Sequence, residues 1–503
     1  MPSIVLLAAT ARTATIAVEP TLYRYHLPQP FDWRLTFDNG KTASGGVTET
    51  IVFTLVDLEP STGYALTIGD TRFAFMTEAE SKLVSISDFG AEPARDDNTA
   101  FIQAAIDALP HDATLRIPRG TWLSGPLFLK SHMTLLLEDG AVLSAHSDRS
   151  QYPVLPAYDD TGRVLGTWEG VAEQCYASLL TALGCERLTI TGAGVVDGGG
   201  DRGDWWTWAK ETRNGARRPR TIFVSNGRDI RLTGLTVRNS PSWTIHPVLC
   251  RNVLMAGLAI ENDPDSPNTD GLNPECCRNV TLSGIRFSVG DDCIAIKAGK
   301  RAPRGGLDQP CENIRVQNCL MERGHGGVVI GSEMSGSVRD VMISRCVMQR
   351  TDRGLRIKTR RGRGGEVRAV CLEDCEMDHV ATPIVVNAFY FCDPDGCSDW
   401  VQSRAPRPVD EGTPHIAEIS VRRLTATNTH IAAAALYGLP EAPIRNVSVK
   451  DFAVTYAPDA VAAVPVMACG VNPVRHAGIL AENAEFGGVP DFTVLDPCQA
   501  EWL

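Results

Sequence analysis

Short runs in which apolar and polar side chains alternate recur from one end of this chain to the other. Near the N-terminus they read TIAVE (Thr15 to Glu19), DWRLTF (Asp32 to Phe37) and TIVFTLVDL (Thr50 to Leu58), separated by Pro, Gly and Asn. A period of two bounded by turn residues predicts strands that bury one face, so residues 1–80 are expected to form a small antiparallel β-domain. Helical spacing is expected in DDNTAFIQAAIDAL, where Phe101, Ile102, Ala105, Ile106 and Leu109 fall on one face. One short helix is therefore predicted between long stretches of strand.

From Arg187 the alternation becomes a repeat. RLTITGAGVVDG, DIRLTGLTVRNS, NVLMAGLAIEN, NVTLSGIRFSVG, NIRVQNCLMERG and DVMISRCVMQRT each join a strand, a small or polar turn and a second strand. Aligning Ile230, Val253, Val280, Ile314 and Val341 gives spacings of 23, 27, 34 and 27 residues. A unit this small cannot bury its own apolar face, so successive units must stack as a solenoid. The expected class is all-β: a right-handed parallel β-helix over residues 81–503, with the helix near Asp96 to Leu109 capping its start. AEISVRRLTATN and NVSVKDFAVTY continue the repeat, and Pro490 to Leu503 is expected to be a tail. Neighbouring coils lie about 4.8 Å apart, so turn residues on successive coils would line one groove suited to a polymer.

Composition narrows the partners. The 503 residues are 43% hydrophobic and 21% charged, and no apolar run approaches the roughly 18 residues of a membrane span. A net charge of −12 argues against nucleic acid, although an acidic substrate stays possible where the site itself is basic. The opening Met1-Pro2-Ser3 and IVLLAA lack the basic segment and long apolar run of a secretory leader. That favours a cytoplasmic location, with export by another route as the alternative. The 15 cysteines start at Cys175 and are expected to be buried free thiols, with Cys392 and Cys397 the pair most suited to a bond or a metal.

The chemistry concentrates between Asn268 and Lys297. Asp270 stands 21 positions before Asp291, close to one coil, and Asp292 adds a third acid. Crowded carboxylates cannot all ionise easily, so one should hold a proton while another takes one from water, as in a two-carboxylate glycosidase. The same acids could instead be turn formers or a cation site. His325 lies on the glycine-flanked turn GHG, and Arg356 and Lys358 share one strand face in RIK. Two cations beside three acids favour a site for a substrate carboxylate. Lys297, Lys300, Arg301, Arg304, Arg360, Arg361 and Arg363 could extend it or form a solvated surface. Trp205, Trp206 and Trp208 are expected either to stack on sugars or to pack under a loop, and Trp243 and His246 to support the groove.

Two resemblances sharpen these expectations. Leu58 to Tyr64 has the L-x-P-x-T-x-Y form of a fibronectin type III corner, implying a β-sandwich in which the Tyr hydroxyl bonds back to backbone. NTD, GDD, GHG and RIK, in that order on a repeating β-chain from about Ser85, resemble the four signatures of the polygalacturonases, glycoside hydrolase family 28. NSPSWTIHP and RGHGGVVIGSEMSG are also similar to its bacterial and plant members. The resemblance implies an inverting hydrolase of α-1,4-galacturonosidic bonds, with Asp291 as acid, Asp270 and Asp292 activating water, and His325 tuning the acid. Arg356, Lys358, Asn268 and Lys297 would then bind substrate, with no cofactor. A sandwich before the helix is similar to exo-acting bacterial members, and segments 150–176, 198–220 and 390–413 are long enough to close one groove end. Endo action, a rhamnogalacturonan or xylogalacturonan backbone, a calcium-dependent lyase and a non-catalytic carbohydrate-binding solenoid remain the alternatives. Oligomeric state is open.

Overall fold

The computed structural model describes residues 3–302 and 305–495. Strands β1 (Ile4–Ala9), β2 (Ala14–Val18), β3 (His26–Phe37), β4 (Thr42–Thr50), β5 (Val52–Leu55), β6 (Gly63–Ile68) and β7 (Thr71–Met76) form two antiparallel sheets, ordered β1-β2-β5 and β4-β3-β6-β7. Ile16, Leu35 and Leu66 fill the space between them with no exposure. The Tyr64 hydroxyl accepts a hydrogen bond from the Glu59 amide at 2.9 Å, closing the corner on backbone five residues upstream.

Beyond Leu83 the two large sheets are built of parallel strands in three rows, the right-handed β-helix. The inward stack Ile230, Val253, Val280, Ile314 and Val341 pairs residue on residue and continues through Val370, Ile419 and Val447. Each coil buries its apolar row against the next, which no coil could do alone. Helix α1 (Thr99–Ala108) lays Ile102, Ala105 and Ile106 over the first coil and covers the end of the stack. Outside the core, Asn252, Asn279 and Asn313 take the left-handed conformation that turns the chain, and their side-chain amides bond in a ladder at 2.9 and 2.7 Å.

The solenoid is longer than its obvious repeat. Ala113–Ile117 pairs with Met133–Leu137, which pairs with Glu186–Gly192, so parallel coils begin well before Arg187. Their turns carry the same small residue as the later units: Gly140, at φ 75°, separates Met133–Leu137 from Ala141–Ala145. At the other end, Phe492–Val494 pairs in parallel with the coil containing Phe452 and Val454, so part of the expected tail is strand. Residues 496–503 of that stretch lie outside the described residues. All fourteen cysteines among the described residues are free thiols and ten are buried; Cys392 and Cys397 are exposed and unbonded. No helix among the described residues is long and apolar enough to cross a membrane.

The sandwich packs along the side of the solenoid. Leu254 and Ala256 enter its apolar core, Asn318 Nδ2 donates to the carbonyls of Tyr23 and Arg24 at 2.8 and 2.7 Å, and Arg345 Nε donates to that of Pro20 at 2.6 Å. Gly284 has φ 61°, and a Cβ there would lie 2.3 Å from the Val52 Cβ. Glycine is what lets β5 approach this turn.

Candidate active site

The third row of strands carries the acids. It runs through Ile245–Val248, the Leu272 bridge, Asp292–Ile296, Gly326–Gly331, Arg353–Lys358 and Thr382–Asn387. The Gly271 amide donates to the Asp292 carbonyl at 3.0 Å, and the His325 amide to that of Asp291 at 2.9 Å. NTD, GDD and GHG therefore sit on three consecutive coils. Around them lies a cavity of about 290 Å³, lined among others by Asn268, Asp270, Asp291, Asp292, Lys297 and His325. Arg356 and Lys358, two apart on one strand, line it too.

The three carboxyls sit in different electrostatic settings. Asp270 is 3% exposed and accepts from Asn273 Nδ2 at 2.7 Å; burial, then the charge of Asp291, pushes its pKa well above the ordinary range, with Lys297 opposing. Burial would also raise Asp291, but the hydrogen bond and charge of His325, helped by Lys358 and Lys297, bring it down to about 2. His325 Nδ1 lies 3.3 Å from Asp291 Oδ1, and that contact raises the imidazole to about 9 against the cost of burial. Burial and the neighbouring acid thus favour the neutral form of Asp270, while the contact with Asp291 favours the charged form of His325. Asp292, nearly buried, pairs Oδ2 with Lys358 Nζ at 2.7 Å and faces Arg356 Nη1 at 3.6 Å through Oδ1. Among the described residues, Oδ1 has no hydrogen-bond donor. It is a buried acceptor ready for water.

The cations are held in place from behind. Arg356 Nη2 contacts Met467 Sδ at 2.7 Å, and Tyr390 lies beside both Arg356 and Lys358, its ring centroid 5.8 and 5.4 Å from their charges. Lys297 pairs with Glu333 at 2.8 Å and lies 4.7 Å from the Trp243 ring; burial opposes its charge, but Glu333 and Asp270 raise its pKa. Burial would raise Glu333, but Lys297 and Arg363 lower it. Asn268 has φ 57° and accepts from Arg218 Nη2 at 2.7 Å, an interaction that fixes the NTD turn.

Other sequence candidates fall elsewhere. Lys300, Arg360 and Arg363 all pair with Asp393, at 2.8, 3.0 and 2.7 Å, Arg361 with Glu441 at 2.6 Å and Arg301 with Glu411 at 3.0 Å. Rather than a free polyanion track, these cations hold the 390–413 segment against the solenoid. Arg304 lies outside the described residues. Trp205 and Trp208 pack with Tyr152 and Tyr176, Trp206 Nε1 donates to the Ser240 carbonyl, and none of the three lines the cavity. His246 is buried 3.0 Å from Glu275, with its pKa pushed well down by burial and Arg220, while burial lifts Glu275 to about 7. Trp243 does reach the cavity, stacked on Trp168 at 5.6 Å and 5°.

Sequence reasoning missed Trp168, Glu169, Lys210, Tyr390 and Met467, which line the cavity from non-repeating segments or a distant coil. Their only signal was the length of those segments; no spacing links them to the acids.

Comparison with known proteins gives concordant matches. The family profile described as Glycosyl hydrolases family 28 matches residues 166–470. A probable polygalacturonase of Vitis vinifera is 32% identical over 361 residues, spanning 70% of each chain. The structure of a hyperthermoactive exopolygalacturonase from Thermotoga maritima superposes with a TM-score of 0.68 at 27% identity, covering 82% of this chain and 92% of that one. The family 28 exopolygalacturonase of Yersinia enterocolitica gives 0.67 at 22% identity over 98% of both chains and shares the fold throughout.

Proposed function

The chain belongs to glycosyl hydrolase family 28, and on that premise we propose that it hydrolyses α-1,4 bonds between galacturonates, inverting the anomeric carbon and working from a chain end. The observation that carries this reading is the meeting of Asp270, Asp291 and Asp292 with Arg356, Lys358 and His325 in one cavity. Asp291 donates a proton to the glycosidic oxygen, and His325 Nδ1, 3.3 Å away, holds the proton that it relays. Asp292 accepts a proton from the attacking water through its open Oδ1. Asp270, whose burial favours its neutral form, orients that water from the neighbouring coil. An inverting reaction needs acid and base about 6.5–9.5 Å apart, with water on the face opposite the leaving group.

Arg356 and Lys358 supply two positive charges against one from Asp292, so the strand keeps a surplus for the substrate carboxylate at the cleavage point. Exo action is supported by the walls that segments 150–176, 198–220 and 390–413 build around the cavity, and by the likeness to an exopolygalacturonase of 27% identity. Asp291→Asn is expected to lower reducing-end release from polygalacturonate by about 10²–10⁴-fold while the fold is kept. Release at the parent rate would remove Asp291 from the reaction, and ultraviolet-absorbing unsaturated ends would replace hydrolysis with elimination.

A further inference from the structure

The cavity contains two charges that its own side chains leave open. Among the described residues, Glu169 and Lys210 line it with no ion-pair partner within 4 Å and no side-chain hydrogen bond, whereas Lys297, Arg356 and Lys358 are all paired. Glu169 and Gly170 form the two-residue turn between Thr167–Trp168 and Val171–Ala172, with φ of 46° and 81°. Such a turn is best served by Asn-Gly, since a longer side chain at its first position is strained. The choice of Glu there gains nothing locally.

The tip of this hairpin is anchored. The amides of Lys300 and Leu307 both donate to the Gly170 carbonyl, at 3.0 and 3.2 Å, and the Ala172 amide donates to Gly305 at 2.7 Å. Arg217 ties Lys210 to the same hairpin: Nη1 donates to the Lys210 carbonyl at 2.6 Å, Nε pairs with Glu173 at 3.1 Å, and the guanidinium lies 5.5 Å from the Trp168 ring centroid. The backbones of Glu169 and Lys210 are therefore held beside one wall, Trp168, with the Lys210 side chain exposed.

Resting on the hydrolase reading above, we propose that Glu169 and Lys210 read a terminal uronate unit. Lys210 takes its carboxylate, and Glu169 accepts hydrogen bonds from its hydroxyls while repelling the carboxylate that a further sugar would bring. A chain end is admitted and a continuing polyanion is refused, so the pair sets where along the polymer cleavage falls.

Two variants test this. Glu169→Asn suits the turn, so its melting temperature should equal or exceed the parent's. It should convert a single short product from polygalacturonate into products of mixed length. Lys210→Met should raise KM for trigalacturonate about tenfold or more, with kcat held and the ionic-strength dependence of KM reduced. Parent hydrolysis with unchanged product lengths in Glu169→Asn and unchanged KM in Lys210→Met overturns this inference alone. A parent that releases nothing from polygalacturonate sinks the hydrolase reading with it.

Discussion

Asp270 and Asp292 lie on neighbouring coils, yet only Asp292 has cations on its oxygens. Burial and Asp291 favour the neutral form of Asp270, so Asp270→Asn should raise the melting temperature and retain more activity than Asp292→Asn. Equal losses of kcat in the two would show that Asp270 works ionised. The Asp291 and His325 pair sets the pH behaviour. His325 is raised from 6.5 to about 9, so its stabilising contribution is complete below 6.5 and is lost as pH climbs through about 9. Asp291 is lowered from 3.8 to about 2, so its contribution is present above 3.8 and is lost as pH falls through about 2. His325→Ala should thus cost most melting temperature near neutral and mildly acidic pH, and the deficit should close above about 9. The parent kcat/KM should fall over the same alkaline range. At this scale the sequence was informative about which residues gather, because NTD, GDD and GHG occupy the same place on successive coils and RIK lies along the same row of strands. It could not reveal which acid keeps the proton, since that depends on burial and on His325 reaching Asp291 from the next coil.

The stacked coil is the element that makes such gathering possible. Aligned sequence positions proved to be hydrogen-bonded neighbours from Ile230 to Val341, because one inward position per coil must be apolar for the stack to close. Ile314→Ala would open a hole in the middle of this row and should cost about 2–5 kcal/mol in denaturant unfolding. A loss below about 1 kcal/mol would mean that the row tolerates gaps. The turns were legible where Asn or Gly marks them, in the early coil at Gly140 as in the later ones. The hairpin holding Trp168 and Glu169 could not be placed from sequence, since its position comes from backbone bonds to residues more than 120 positions later.

Across the whole molecule, the sandwich and the cavity occupy different sides of the solenoid. No cavity residue comes from positions 3–80, while Val52 and Thr54 press on the turns at Gly284 and Gly234. Gly284→Ala should therefore destabilise by about 1–3 kcal/mol and loosen the sandwich to proteolysis, leaving KM unchanged. A changed KM with an intact sandwich would tie the N-terminal domain to the site. The domain itself was legible from alternation and the Leu58 to Tyr64 corner, but its docking was not, because the docked face mixes turn glycines with scattered residues such as Ala256, Asn318 and Arg345 that share no pattern. End-on cleavage of a galacturonate polymer is the central claim for the molecule. Its most direct test is chromatography of products from polygalacturonate, sampled from the first minutes. The expected result is saturated galacturonate of one short length from the outset; a ladder of intermediate oligomers, or no hydrolysis at all, would contradict it.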